Sequence, residues 1–189
     1  MLVAFFFFHC VVNGRNGTSN RHKPQENKIM TQDEQMFSQM VKDNRGTIYS
    51  VCYMFSNDAD EVADLFQEVL VKLWNGFGSF KGQSDIKTWI YRVSLNTCIS
   101  IDRKKRRRRK AMLSMEVDYF DDSNTNTAQV RLLHQRIAQL QPLDRAIVLL
   151  WLEQVSYDEI GDIVGISAKN VSVRLTRIRL QLKNMTDKQ

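Results

Sequence analysis

Val155-Ser-Tyr-Asp-Glu-Ile-Gly-Asp-Ile-Val-Gly-Ile-Ser-Ala-Lys-Asn-Val-Ser-Val-Arg-Leu-Thr-Arg-Ile-Arg-Leu-Gln-Leu-Lys183 decides the fold. Ser156 followed by Glu159 is a capping box, and it opens a helix with Ile160, Ile163 and Val164 on one side. Gly165 marks a tight turn where a side chain is expected to be crowded. Ser167 is the next N-cap, and a second helix runs from Ala168. Two short helices joined by a glycine turn form a helix-turn-helix. On a helical wheel Val171, Leu175, Ile178 and Leu182 share one face. Lys169, Val173, Thr176 and Arg177 fall opposite, flanked by Asn170 and Ser172. From Ala168 to Lys183 there are five basic residues and no acid. Basic and short polar groups near a helix N-terminus suit base edges and phosphates in the major groove. A solvated charged face is the plainer alternative, and the capped helix and glycine turn before it argue against that.

Working back, Pro142 opens a helix carrying Ile147, Val148, Leu150, Trp151 and Leu152, and Val130, Leu133, Ile137 and Leu140 form the helix before it. These two helices are expected to bury the inner faces of the helix-turn-helix. Residues 129–185 thus make one small domain, only modestly stable alone. Residues 111–128 hold four acids and no base, then Ser123-Asn-Thr-Asn-Thr127, and read as a flexible acidic linker.

Residues 31–110 read as a first domain, also all-α. Thr31 with Glu34 is a capping box, and a break follows near Asn44-Arg45-Gly46. Asn57 or Asp58 caps a third helix to Asn75, with Val62, Leu65, Phe66, Val69, Leu70 and Leu73 as its apolar stripe. Glycines 76, 78 and 82 mark a loop, Ser84 is the expected cap, and a long helix runs from Asp85 to about Arg107. Its start mixes aromatics with basic and polar groups, which suits stacking on unpaired bases while phosphates are held. Trp89, Ile90 and Val93 fit a plain core equally well.

The whole chain of 189 residues carries a net charge of +6. Residues 1–102 are nearly balanced, while Arg103-Lys-Lys-Arg-Arg-Arg-Arg-Lys110 is eight consecutive cations. That concentration points to a polyanionic partner, with phosphate contact favoured over a solvated tail. Basic residues there also suit the helix C-terminal dipole. The three cysteines and three histidines show no paired spacing, so neither a disulfide framework nor a metal is expected, and the compartment is read as a reducing cytoplasm. Leu2 to Val12 is apolar but about half the roughly 20 residues a bilayer span needs. Residues 1–30 are expected to be a disordered extension, or residues 1–29 to fall before a native start at Met30.

Asp64-Leu-Phe-Gln-Glu-Val-Leu-Val-Lys-Leu-Trp74, Phe80-Lys-Gly-Gln-Ser-Asp-Ile-Lys-Thr-Trp-Ile-Tyr-Arg-Val-Ser-Leu-Asn-Thr97 and the stretch from Leu140 to Leu182 occur in that order, with a linker between the last two. In this order the chain resembles a bacterial RNA polymerase sigma factor of the sigma-70 family, in its extracytoplasmic-function group. The resemblance covers about residues 33–110 and 129–183. It implies two small helical domains, region 2 and region 4, joined by a flexible linker, in a promoter-recognition subunit that is not an enzyme. It implies that Asp64, Leu65, Gln67 and Glu68 meet core polymerase at the beta-prime clamp. Phe80, Lys81, Ser84, Thr88, Trp89, Arg92 and Asn96 would take the melted minus-ten element. Ser167, Lys169, Asn170, Ser172, Val173, Arg174 and Arg177 would read the minus-thirty-five element, and the beta flap is a further contact on core polymerase. No catalytic residue, cofactor or small-molecule substrate is implied, and an anti-sigma factor is a further partner the family admits. The basic run is longer than the family usually shows, and residues 1–29 have no counterpart. The alternative is a helix-turn-helix regulator that acts without polymerase.

Overall fold

The computed structural model describes residues 31–82, 84–111 and 128–185. The expectations for residues 1–30 and for all but the ends of the 111–128 linker lie outside these. Among the described residues there are eight helices and no strand: α1 Gln32–Asp43, α2 Arg45–Phe55, α3 Ala59–Phe77, α4 Ile86–Ala111, α5 Ala128–Ala138, α6 Pro142–Leu152, α7 Tyr157–Val164 and α8 Ala168–Asn184.

Local chemistry sets most boundaries. Thr31 and Glu34 close a reciprocal capping box on α1. Asp58, not Asn57, caps α3 by accepting from the Glu61 amide at 2.8 Å. The cap of α4 corrects the expectation of Ser84: the Asp85 carboxylate accepts from the Lys87 amide at 2.8 Å. A carboxylate at that position also meets the positive end of the helix dipole. Pro142 occupies the first turn of α6, where its missing N–H costs nothing.

The α3 stripe packs as its spacing requires: Val62, Leu65, Phe66, Val69, Leu70 and Leu73 are all buried. They meet Val41 from α1, Ile48, Val51 and Cys52 from α2, and Ile90, Leu95 and Cys98 from α4. Phe37 stands edge-on to Trp74 and to Phe77, at 5.0 and 5.4 Å, and fastens α1 to the end of α3. Full burial of one such aliphatic side chain contributes roughly 1.5–3 kcal/mol, so α3 is the keystone of this half.

The C-terminal half has its own centre in Leu140, Ile147, Leu150, Ile160, Val171, Leu175 and Ile178. The two halves are not held by a tether alone. α2 and α4 pack on α6, α4 also packs on α7, and α2 on α5. One buried apolar cluster runs through both halves. Polar groups seal the seam: Arg92 donates to the Asp162 carbonyl, Arg106 to the Leu140 carbonyl at 3.3 Å, and Asp102 lies 3.8 Å from Arg145. Tyr53 packs edge-on against His134 at 4.9 Å, and the Arg145 guanidinium sits 5.6 Å over Phe55. Sequence reading missed this seam.

Candidate nucleic-acid interface

The helix-turn-helix is built from α7 and α8. Ser156 and Glu159 close their capping box, and the Ser167 hydroxyl accepts from the Asn170 amide at 3.3 Å. Gly165 has φ +77°, a left-handed conformation that favours glycine. Crowding, expected there, is found one turn earlier. A Cβ at Gly165 would meet nothing within 4 Å, whereas one at Gly161 would lie 2.6 Å from the Ile166 carbonyl oxygen. Gly161 is therefore what lets the turn fold back on α7. A glycine on the buried side of a helix was the signal for it.

α8 buries Val171, Leu175 and Ile178, and Leu182 is half-buried. Lys169, Asn170, Ser172, Val173 and Arg177 are exposed together on the opposite side. The Ser167 hydroxyl is also exposed but engaged by its cap. Arg174 departs from the expected set. Its guanidinium pairs with Asp144 of α6 at 2.6 Å, so it fastens α8 to the helix behind it. Arg179, not singled out from sequence, lies over the Trp151 ring at 4.4 Å.

The second cluster surrounds the α3–α4 loop and the first turns of α4. Phe80 leans on Trp89, with ring centroids 5.0 Å apart at 34°. Trp89 reaches back over Gly76, where a Cβ would meet its ring at 3.1 Å. Both rings are half-buried, so each is anchored and still presents an edge. Lys81 and Ser84 are exposed beside them, and Thr88 is half-buried. Asn96 is exposed one turn beyond Arg92. Ile90 is in the core and Val93 is half-buried, which settles the alternative for those two side chains. Arg92 is exposed as expected, but one donor is committed to Asp162 of α7.

The third expected surface lies on α3. Asp64 and Glu68 are exposed and Gln67 is half-buried. Leu65 is a correction: it is buried at 8% exposure in the apolar stripe and offers no surface to a partner. Val71, seven residues after Asp64, is exposed on the acidic side instead. An apolar residue out of phase with the stripe was its signal.

Cys52 and Cys98 are free and buried in the α2–α4 core. The Cys98 thiol is pushed well above its usual range by its Cys52 neighbour and by burial, which keeps it protonated. No group of three or more His, Cys, Asp or Glu side chains suited to a metal ion occurs among the described residues. No described helix is long and apolar enough to cross a membrane.

Residues 40–109 match the family model for sigma-70 region 2, and residues 131–182 match that for sigma-70 region 4. The chain is 30% identical to the RNA polymerase sigma factor YlaC of Bacillus subtilis, over 71% of this chain and 84% of that protein. It is 24% identical to the ECF RNA polymerase sigma factor SigW of the same organism, over 81% of this chain and 92% of that one. Among solved structures, the sigma factor RpoE in complex with the anti-sigma factor NepR from Bartonella quintana superposes with a TM-score of 0.66 at 21% identity, covering 79% of this chain and 95% of that one. CnrH in complex with the cytosolic domain of CnrY superposes with a TM-score of 0.56 at 20% identity, covering 79% and 86%. With both region models matched in order, and a relative this similar along most of its length, the chain belongs to the sigma-70 family of RNA polymerase sigma factors, in its extracytoplasmic-function group.

Proposed function

We propose that this sigma factor divides promoter recognition between two exposed surfaces while core polymerase holds it. The exposed side of α8, with Lys169, Asn170, Ser172, Val173 and Arg177, reads duplex at the minus-thirty-five element. The loop and first turns of α4, with Phe80, Lys81, Ser84, Thr88, Trp89, Arg92 and Asn96, take the melted minus-ten strand. Unstacking a base costs a few kcal/mol, and an aromatic edge flanked by cations offsets that. Asp64, Gln67 and Glu68 on α3 meet the polymerase clamp. Arg174 acts indirectly, by fixing α8 on α6. The chain performs no catalysis of its own and works in the cytoplasm, where the polymerase is. RpoE, of the same fold, is seen with the anti-sigma factor NepR, which supports a partner of that kind here.

The observation that carries this reading is the exposed basic and polar face of α8, standing on a capped, glycine-turned helix pair. Transcription in vitro with core polymerase on a promoter library tests it. Arg177→Ala is expected to lose about 1–3 kcal/mol at one upstream base position. Equal weakening on every sequence makes Arg177 a phosphate contact. Failure to bind core, with unaided binding to a duplex site, replaces the reading with that of a helix-turn-helix regulator.

A further inference from the structure

Val173 stands at the centre of the exposed side of α8. At about 100° per residue it lies roughly opposite the line of Val171, Leu175, Ile178 and Leu182. It is 43% exposed, with polar and basic side chains around it. Lys169 and Asn170 precede it by one turn, Thr176 and Arg177 follow it by one turn, and all four are exposed. The Thr176 hydroxyl donates to the Ser172 carbonyl at 3.0 Å, which spends its only proton on the helix itself. What Thr176 adds beside Val173 is chiefly a methyl group. Positions three apart on a helix are neighbours, so the two side chains form one small apolar spot ringed by donors. Leu180, also exposed, lies about 10 Å further along the axis, about three base pairs away.

The duplex limits what this spot can meet. In the major groove the base edges are rows of donors and acceptors, and only thymine adds a methyl, on its C5. Pressed on guanine, adenine or cytosine, Val173 covers a polar atom and gives it no partner, which costs affinity. Against thymine it meets an apolar group of matching size. Both side chains branch at Cβ and hold few rotamers, so the spot is formed before DNA arrives.

We propose that Val173, with the Thr176 methyl beside it, packs on the C5 methyl of one thymine in the upstream element. α8 then selects that base by an apolar contact, while the cations around it take polar edges and phosphates. This rests on α8 reading the upstream duplex, and it names one base which that duplex has to contain.

The test uses core polymerase loaded with the full chain, parent or V173A, on a promoter that the parent selects from a library. Each thymine of the upstream element, on either strand, is replaced in turn by uracil, which lacks only the methyl. Val173 is exposed and alanine is a good helix former, so the fold is expected to stand. Unchanged helicity and unfolding midpoint verify it. At one thymine the parent should lose about fourfold in affinity, the worth of one methyl withdrawn from water. V173A should bind the thymine promoter more weakly and be indifferent to uracil at that position. T176S keeps the hydroxyl and removes only the methyl, and should show a smaller uracil effect at the same position. The proposal is overturned if the parent is indifferent to uracil everywhere, or if V173A keeps the parent's full sensitivity. T176S behaving as the parent would overturn the part given to Thr176. Loss of affinity for core polymerase in V173A would overturn it as well, by assigning the spot to a protein partner. An upstream element that can be scrambled without effect on the parent holoenzyme would instead sink the reading of α8 itself.

Discussion

Asp102 stands between two arginines, 2.6 Å from Arg106 on its own helix and 3.8 Å from Arg145 at the start of α6. Arg145 is only 4% exposed, and its remaining support includes the Leu140 carbonyl at 3.2 Å. Removing Asp102 takes a carboxylate from a buried guanidinium, whereas removing the guanidinium leaves a carboxylate that still has Arg106. Asp102→Ala is therefore expected to cost about 3 kcal/mol, and Arg145→Met considerably less. Urea unfolding of the two variants checks the asymmetry. Equal losses would mean the pair carries little of the seam.

The two glycines of the helix-turn-helix are predicted to fail for different reasons. Gly161→Ala drives a Cβ to 2.6 Å from a backbone oxygen, and backbone cannot step aside as a side chain can. A loss of about 2–3 kcal/mol is expected, with weaker use of the upstream element. Gly165→Ala meets open space and pays only for its left-handed φ, about 1–2 kcal/mol. Gly46→Ala, on α2 with nothing near, should be tolerated. Thermal unfolding ranks the three, and a reversed order for Gly161 and Gly165 would refute the close approach.

His134 gives the seam a pH dependence. Burial holds its imidazole below the usual value of 6.5, so the folded chain resists the proton that the unfolded chain accepts. The folded state then binds fewer protons, and stability rises with pH through the window between the depressed value and 6.5. The contribution is complete above that window and lost below it. His134→Phe keeps a ring against Tyr53 and removes the titration. The difference in unfolding midpoint between parent and variant should change from pH 7.5 to pH 5.5, in the direction that penalises the parent at acid pH. Parallel midpoints would refute it.

Ser94 is fully buried in α4, and its hydroxyl has no hydrogen-bond partner among the described residues. A polar group left in that state costs about 1–3 kcal/mol. Ser94→Ala removes the cost and opens only a small void. It is expected to stabilise the chain by about 1 kcal/mol, raising the unfolding midpoint by roughly 2–4 °C. A lowered midpoint would mean that the hydroxyl is satisfied.

What the sequence made legible were features with a period or a local partner. The α3 stripe repeats at helical spacing, and capping boxes such as Ser156 with Glu159 are written three residues apart. The α8 wheel sorted its buried and exposed faces correctly for the same reason. What escaped depends on groups far apart in the chain. Arg174 carries the same charge as Arg177, and only the position of Asp144, thirty residues earlier, turns it inward. The seam is anchored on the backbone carbonyls of Leu140 and Asp162, which no side-chain pattern announces. The steric demand at Gly161 arises from Ile166 folding back, so it is invisible until the turn has a shape.

The hydrogen bond from Arg92 to Asp162 joins a residue of one proposed reading surface to the helix pair that carries the other. While it stands, the two surfaces sit at one fixed separation, like teeth cut on a single key. Under the proposed reading, promoters whose two elements match that separation are met by the chain as it is. Under the same reading, any other spacing has to part the apolar seam as well as that bond, which makes the length of DNA between the elements a condition on promoter use.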